Sequence, residues 1–137
     1  MRRIGLAARL LLGLVFLATA IGKLLDNRGF AGVLATFDLL PLGPGGLLAV
    51  GLVLSLAELA AGLLLLTGRR LGVAIAAVLS VVNLVAILSA LARGLPLANC
   101  GCFGVFLARP LTRTTPWEDV ALLVLALLAW PRRRRYA

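Results

Sequence analysis

Histidine is absent from the chain, cysteine occurs only twice, and aspartate plus glutamate number five against fourteen lysines and arginines. Zinc normally takes four cysteine, histidine or carboxylate ligands, so a zinc site has almost nothing to be built from. Aromatic residues are sparse at 6%. No polar fold carries basic residues with aromatics between them, which removes the usual nucleic-acid-binding surface despite a net charge of +9. A polar stretch long enough for a soluble domain is also missing. What fills the chain is 62% hydrophobic residues at a mean hydropathy of +1.09, against about 45–50% apolar residues in soluble domains. Charges avoid the apolar runs and crowd their ends. A bilayer demands this, because an ionisable group at its centre costs about 2.5–3.5 kcal/mol even on a lenient scale.

About 20 apolar residues cross ~30 Å of hydrocarbon at ~1.5 Å per residue. Four runs qualify or nearly do: residues 4–25, 47–66, 71–91 and a shorter one at 116–130. PLGPGG at 41–46 and TGRR at 67–70 punctuate them as turns. The expectation is one domain over residues 1–137, an all-α integral membrane protein folded as a bundle of four transmembrane helices. The fourth run reaches only about 22 Å. Its start reads as a capping box, with Thr115 as N-cap, Pro116 at N1 and Glu118 at N3, and Trp117 and Trp130 as interfacial anchors. The first run also has features of a signal peptide, with a basic MRR start and Ala18-Thr19-Ala20 as a small-residue cleavage pattern; cleavage there would break an otherwise even pattern of spans.

Nine basic residues, Arg2, Arg3, Arg9, Arg69, Arg70 and Arg132 to Arg135, fall on one side of these spans, against five on the other: Lys23, Arg28, Arg93, Arg109 and Arg113. The positive-inside rule places both termini in the cytoplasm of a cell whose inner (plasma) membrane holds the chain. The PRRRR tract adds affinity for anionic lipid. The loop after the third run is then extracytoplasmic, where disulfides persist.

That loop contains NCGCFG at 99–104, with both cysteines of the chain. Two cysteines placed at random would fall two apart about once in seventy. Three readings stand. The thiols are small apolar residues in a buried loop; or they hold a soft ion such as Cu(I); or Cys100 and Cys102 cycle between dithiol and disulfide. A CxC bridge closes a very small ring, and strained bridges are the labile, exchanging ones. Gly101 and Gly104 suit the third reading, since glycine lets another chain come close to a sulfur.

Glu58 sits near the middle of the second run. An intramembrane carboxyl is a functional candidate by default, here either a proton relay or a glue between helices. Counted from the cytoplasmic helix ends at ~1.5 Å per residue, Glu58 lies about 12 Å up, Ser80 about 14 Å and Asn83 about 18 Å, so these three are expected to cluster. Lys23, near the outer end of the first run, is read as snorkelling to the interface or as a charge that favours a nearby thiolate. Gly13, Gly51, Gly62 and Gly72 are read as close helix contacts.

RLLLGLVFLATAIGKLLD in the first run, LAELAAGLLLL in the second, NCGCFG after the third and TTPWEDVALL opening the fourth together resemble the methylamine-utilisation MauE family, a branch of the DoxX-like membrane proteins. The resemblance covers almost the whole chain, and CGCFG is its most specific part. It implies a four-helix membrane protein tied to extracytoplasmic thiol–disulfide chemistry, named for maturation of the disulfide-rich small subunit of methylamine dehydrogenase with a thioredoxin-like partner. Cys100 and Cys102 match the active motif; Glu58 and Lys23 stand at family-like positions.

The sequence therefore points to a membrane thiol–disulfide oxidoreductase whose cysteines exchange electrons with a thioredoxin-like extracytoplasmic protein. Turnover needs a second electron carrier, for which a membrane quinone is the candidate, with Lys23, Asn83 and Trp117 as neighbours. The rivals are a small transporter of a cation or soft metal, with Glu58 as coupling site, and a non-catalytic assembly factor. The charge asymmetry carries one test: membrane-impermeant maleimide should label reduced Cys100 or Cys102 in intact spheroplasts, and labelling only after permeabilisation would reverse the orientation.

Overall fold

The computed structural model describes residues 2–95, 97, 99 and 109–131. Cys100, Gly101, Cys102, Gly104 and the terminal arginines lie outside the described residues. All secondary structure among the described residues is helical: α1 (Arg2–Leu25), α2 (Asn27–Phe37), α3 (Pro44–Leu66), α4 (Arg70–Ala92) and α5 (Thr115–Ala129). In lipid every backbone N–H and C=O must be satisfied within the chain, and a helix does this segment by segment. Three of the helices, α1, α3 and α4, are long and apolar enough to cross a membrane. With 15 residues, α5 is about 22 Å long. Its two tryptophans, Trp117 and Trp130, are both exposed.

An extra helix, α2, occupies a stretch in which the apolar-run reading contained no element. The Asp26 carboxylate accepts a hydrogen bond from Gly29 N at 2.9 Å, capping α2 at its start. Phe30, Ala31 and Phe37 form its buried stripe. At about 16 Å, α2 is too short to cross a bilayer, and it packs on α3. Asp38 ends it in the left-handed region at φ 50°. The Arg93 guanidinium then donates to the Phe37 and Asp38 carbonyls, which ties the end of α2 to the end of α4.

The other four helices close a ring: α1 packs on α3, α3 on α4, α4 on α5, and α5 returns to α1. Ala8, Leu12 and Phe16 of α1 meet Ala61 and Leu65 of α3, Val73 and Ala76 of α4, and Ala126 and Ala129 of α5 in one apolar cluster. A second cluster joins Phe37, Ile87, Ala90 and Leu97 at the opposite end. Large apolar residues on the outer faces, such as Leu14, Val53, Val78 and Leu127, are exposed, as lipid contact requires.

Tight ends set the geometry of the ring. Gly68, at φ +79°, lets Arg69 N reach Leu64 O at 2.9 Å while Gly68 N bonds Leu65 O at 3.1 Å, satisfying carbonyls that the end of α3 would otherwise leave orphaned. The chain re-enters α4 so closely that a Cβ on Gly72 would lie 2.6 Å from Leu65 N and 2.8 Å from the Leu64 carbonyl carbon. The start of α5 differs from the capping-box expectation. Thr115 is the first helical residue, Thr114 precedes it without a side-chain cap bond, and Glu118 pairs with Arg109. A bidentate guanidinium–carboxylate pair is the stronger partner for Glu118, and the Thr115 hydroxyl instead accepts from Thr112 N at 3.1 Å.

Because two of the three nearest atoms facing Gly72 are backbone and the third is the Leu64 Cβ, Gly72→Ala is expected to destabilise the detergent-solubilised protein by about 1–3 kcal/mol. Gly32→Ala, whose new methyl meets nothing within 4 Å, should leave the melt unchanged or raise it. Circular dichroism melts of the two variants make the comparison, and equal melts would mean that the α3–α4 hairpin relaxes freely.

Candidate functional site in a buried polar layer

Between the two apolar clusters the four ring helices place polar side chains at one level. Past Phe16, α1 contributes Thr19 and Lys23, one helical turn apart on the same face. Past Ala61, α3 contributes Glu58. Past Ala76, α4 contributes Ser80 and Asn83, and α5 contributes Asp119.

The Lys23 ammonium lies 2.6 Å from Glu58 Oε1 with both side chains largely buried, 7% and 14% exposed. Its Nζ also sits 4.9 Å from the centroid of the Phe30 ring, a cation–π contact supplied by α2. The Thr19 hydroxyl is 3.0 Å from Phe16 O and 3.1 Å from Glu58 Oε2. One hydroxyl proton is shared between those two acceptors. Across the layer, Asn83 Nδ2 donates to both carboxyl oxygens of Asp119, at 3.0 and 3.1 Å. Ser80 is 2% exposed, and its hydroxyl has no hydrogen-bond partner among the described residues.

Two cavities meet at this layer. The smaller, about 340 Å³, is bounded by Thr19, Ser80 and Asp119, with Arg109 and Glu118 also in its wall. The larger, about 450 Å³, is bounded by apolar side chains of α2, α3 and α4. Lys23, Glu58, Leu79 and Asn83 line both.

Glu58 therefore faces the bundle, as its mid-span position suggested, and shares a cavity with Ser80 and Asn83. Its bonds, however, go to α1. Lys23 does not snorkel: it is 5% exposed and held by Glu58. Trp117 is 70% exposed and lines neither cavity. The thiol segment is known by its ends, where Leu111 N donates to Leu97 O at 3.0 Å. Sequence reasoning passed over Thr19 and Asp119 as parts of the layer. Thr19 carried a signal, its i, i+4 spacing from Lys23; Asp119 stood in a Glu-Asp pair that resembled a helix start.

Comparison with known families matches residues 1–132 to the family described as methylamine utilisation protein MauE. Comparisons with curated proteins and with solved structures gave no match.

Removing one member of a buried ion pair leaves an uncompensated charge, whereas removing both leaves apolar packing. Lys23→Met is thus expected to cost about 3–5 kcal/mol, and Lys23→Met combined with Glu58→Leu should recover most of that loss. Unfolding in detergent reads the cycle. A double variant no more stable than the single would show that the two side chains do not act as a pair.

Proposed function

The chain belongs to the methylamine utilisation protein MauE family, and on that premise we propose that it is a thiol–disulfide redox protein of the inner (plasma) membrane, exchanging electrons through Cys100 and Cys102 with an extracytoplasmic thioredoxin-like protein. Family membership and three membrane-length apolar helices make it a multi-pass membrane protein linked to methylamine utilisation. The proposal adds a fourth span in α5, held short of full bilayer thickness by local thinning between Trp117 and Trp130, with both termini cytoplasmic.

The observation that carries the reading is the closed stem of the thiol segment. The Leu97–Leu111 bond joins the two described flanks of the thiol segment, and Arg109 on the second flank lines the smaller cavity. The chain's only two cysteines lie between these two flanks in the sequence.

In the exchange, one cysteine thiolate attacks a disulfide sulfur of the partner. A mixed disulfide forms as the partner's second sulfur leaves as thiolate, and the other cysteine displaces the partner to close Cys100–Cys102. The reverse sequence oxidises the partner. Either direction moves two electrons and two protons, so repeated turnover passes them on to, or takes them from, a second carrier. The products served are exported proteins that need their disulfides formed or reduced, methylamine dehydrogenase being the case that the family description suggests.

Replacing either cysteine by serine should abolish partner oxidation or reduction with little loss of folded protein, because a three-residue ring removes little chain entropy. One of the single variants should trap a mixed disulfide with the partner on non-reducing gels. A normal partner redox state in cells carrying Cys100→Ser with Cys102→Ser would leave the assembly-factor reading in its place.

A further inference from the structure

All five carboxyl side chains, Asp26, Asp38, Glu58, Glu118 and Asp119, lie in the polar layer or on its far side from the α3–α4 turn. The turn itself carries cations. Arg69 and Arg70 are exposed on it, and α1 adds Arg9, one helical turn before Gly13 on the face that packs against α3. Arg9 Nη1 lies where a Cβ on Gly68 would be 2.8 Å from it. None of these three guanidiniums is in an ion pair among the described residues, and the pairs that occur there, Lys23–Glu58 and Arg109–Glu118, lie elsewhere. Arg9 Nε is buried and has no hydrogen-bond partner among the same residues. The last carbonyls of α3 do not supply one. Leu63 O and Leu64 O are within 3.1 and 3.0 Å of the Thr67 hydroxyl, and Leu64 O and Leu65 O accept from Arg69 N and Gly68 N. Beside these cations α4 begins with no side-chain cap and no acidic residue in its first turn. Its positive dipole end therefore adds to the same field.

Like charges gathered at one turn repel, and a cation with one edge removed from water loses hydration that a counter-charge replaces. An anion is what this turn lacks. Guanidinium forks match the oxygens of a phosphate, and uncapped N–H groups at a helix start are further donors to it. The turn joins two helices of membrane length, which sets it at the headgroup level of one leaflet. Trp130 is exposed at this same end, next to Ala129, which clusters with Ala8, and tryptophan favours that interface. Leu63 and Leu71, exposed on either side of the turn, offer acyl chains an apolar surface just inward of the cations. We propose that Arg9, Arg69 and Arg70 bind the phosphate of an anionic phospholipid at the α3–α4 turn. A zwitterionic lipid is disfavoured there, because it would bring its own ammonium up to the three guanidiniums. The PRRRR tract attracts anionic lipid through net charge; the turn adds a fixed position. Gly68, at φ +79° and without a side chain, leaves the space in which the Arg9 guanidinium rests.

Native mass spectrometry of the detergent-purified chain tests the site when phosphatidylglycerol and phosphatidylcholine of matched acyl chains are supplied in equal amounts. The wild type should retain one phosphatidylglycerol in preference to phosphatidylcholine by about tenfold, the scale of one charge-assisted hydrogen bond. Arg9→Gln combined with Arg69→Gln and Arg70→Gln should abolish the preference while circular dichroism shows unchanged helix content. Arg69→Gln with Arg70→Gln alters exposed side chains alone, so it reads the site even if the triple variant fails to fold; it should lower the preference about threefold or more. Two controls should keep the wild-type preference: Arg28→Gln with Arg113→Gln, and the variant joining Arg132→Gln, Arg133→Gln, Arg134→Gln and Arg135→Gln. Equal retention of the two lipids by the wild type would overturn the site. So would a preference that survives in both turn variants and disappears with the four terminal arginines, which would assign it to the tract. Loss of phosphatidylglycerol to an equimolar amount of inorganic phosphate would overturn it in favour of a free anion.

Discussion

Taking an ammonium and a carboxylate out of water costs several kcal/mol per ion, and at Lys23 and Glu58 that cost is offset by contact at 2.6 Å. The pair binds because α1 and α3 present these two side chains to each other, so it also fixes how the two helices are rotated. Thr19 adds a second bond from α1 to the same carboxylate. Phe30, which places its ring under the ammonium, draws α2 against the bundle. The placing of α2 in turn forms one wall of the larger cavity. One interaction thus sets a helix rotation, a helix position and the boundary shared by two cavities.

The helices themselves could be read from the lengths of apolar runs, because lipid forces long uninterrupted apolar segments to be helical. Runs at 4–25, 47–66, 71–91 and 116–130 correspond to α1, α3, α4 and α5 to within a few residues. Run length cannot find α2, whose signal is an Asp cap followed by an apolar stripe over only three turns. The partner of Glu58 was hidden for a different reason. Height along a helix from its own cytoplasmic end is comparable between helices only where those ends are level. In the fold Gly13 packs against Leu65 and Leu66, so the first three turns of α1 run past the end of α3. Measured from that contact, Lys23 stands about 15 Å up and Glu58 about 12 Å, which brings them side by side. Offsets between neighbouring helices are a tertiary fact that a single sequence does not express.

Short α5 and the polar layer fit together. A helix of about 22 Å can place Asp119 at the level of Asn83 only by starting inside the thickness that the longer helices span. Its first turn is therefore anchored by polar partners: Thr115 to Thr112, Glu118 to Arg109 and Asp119 to Asn83. These contacts take the place of the capping bond that a solvent-exposed helix start would draw from its own side chain.

Beneath the layer the bundle is apolar. Residues 10–18 of α1, 59–66 of α3, 71–79 of α4 and 120–129 of α5 carry no polar side chain, and the cluster built around Leu12, Phe16, Leu65 and Val73 fills the space between them. A stack of this kind, some 16 Å deep from Thr19 to Ala8, contains no ladder of hydrogen-bonding side chains along which a proton could pass. The described residues therefore offer no chain of polar side chains from the layer to the α3–α4 turn.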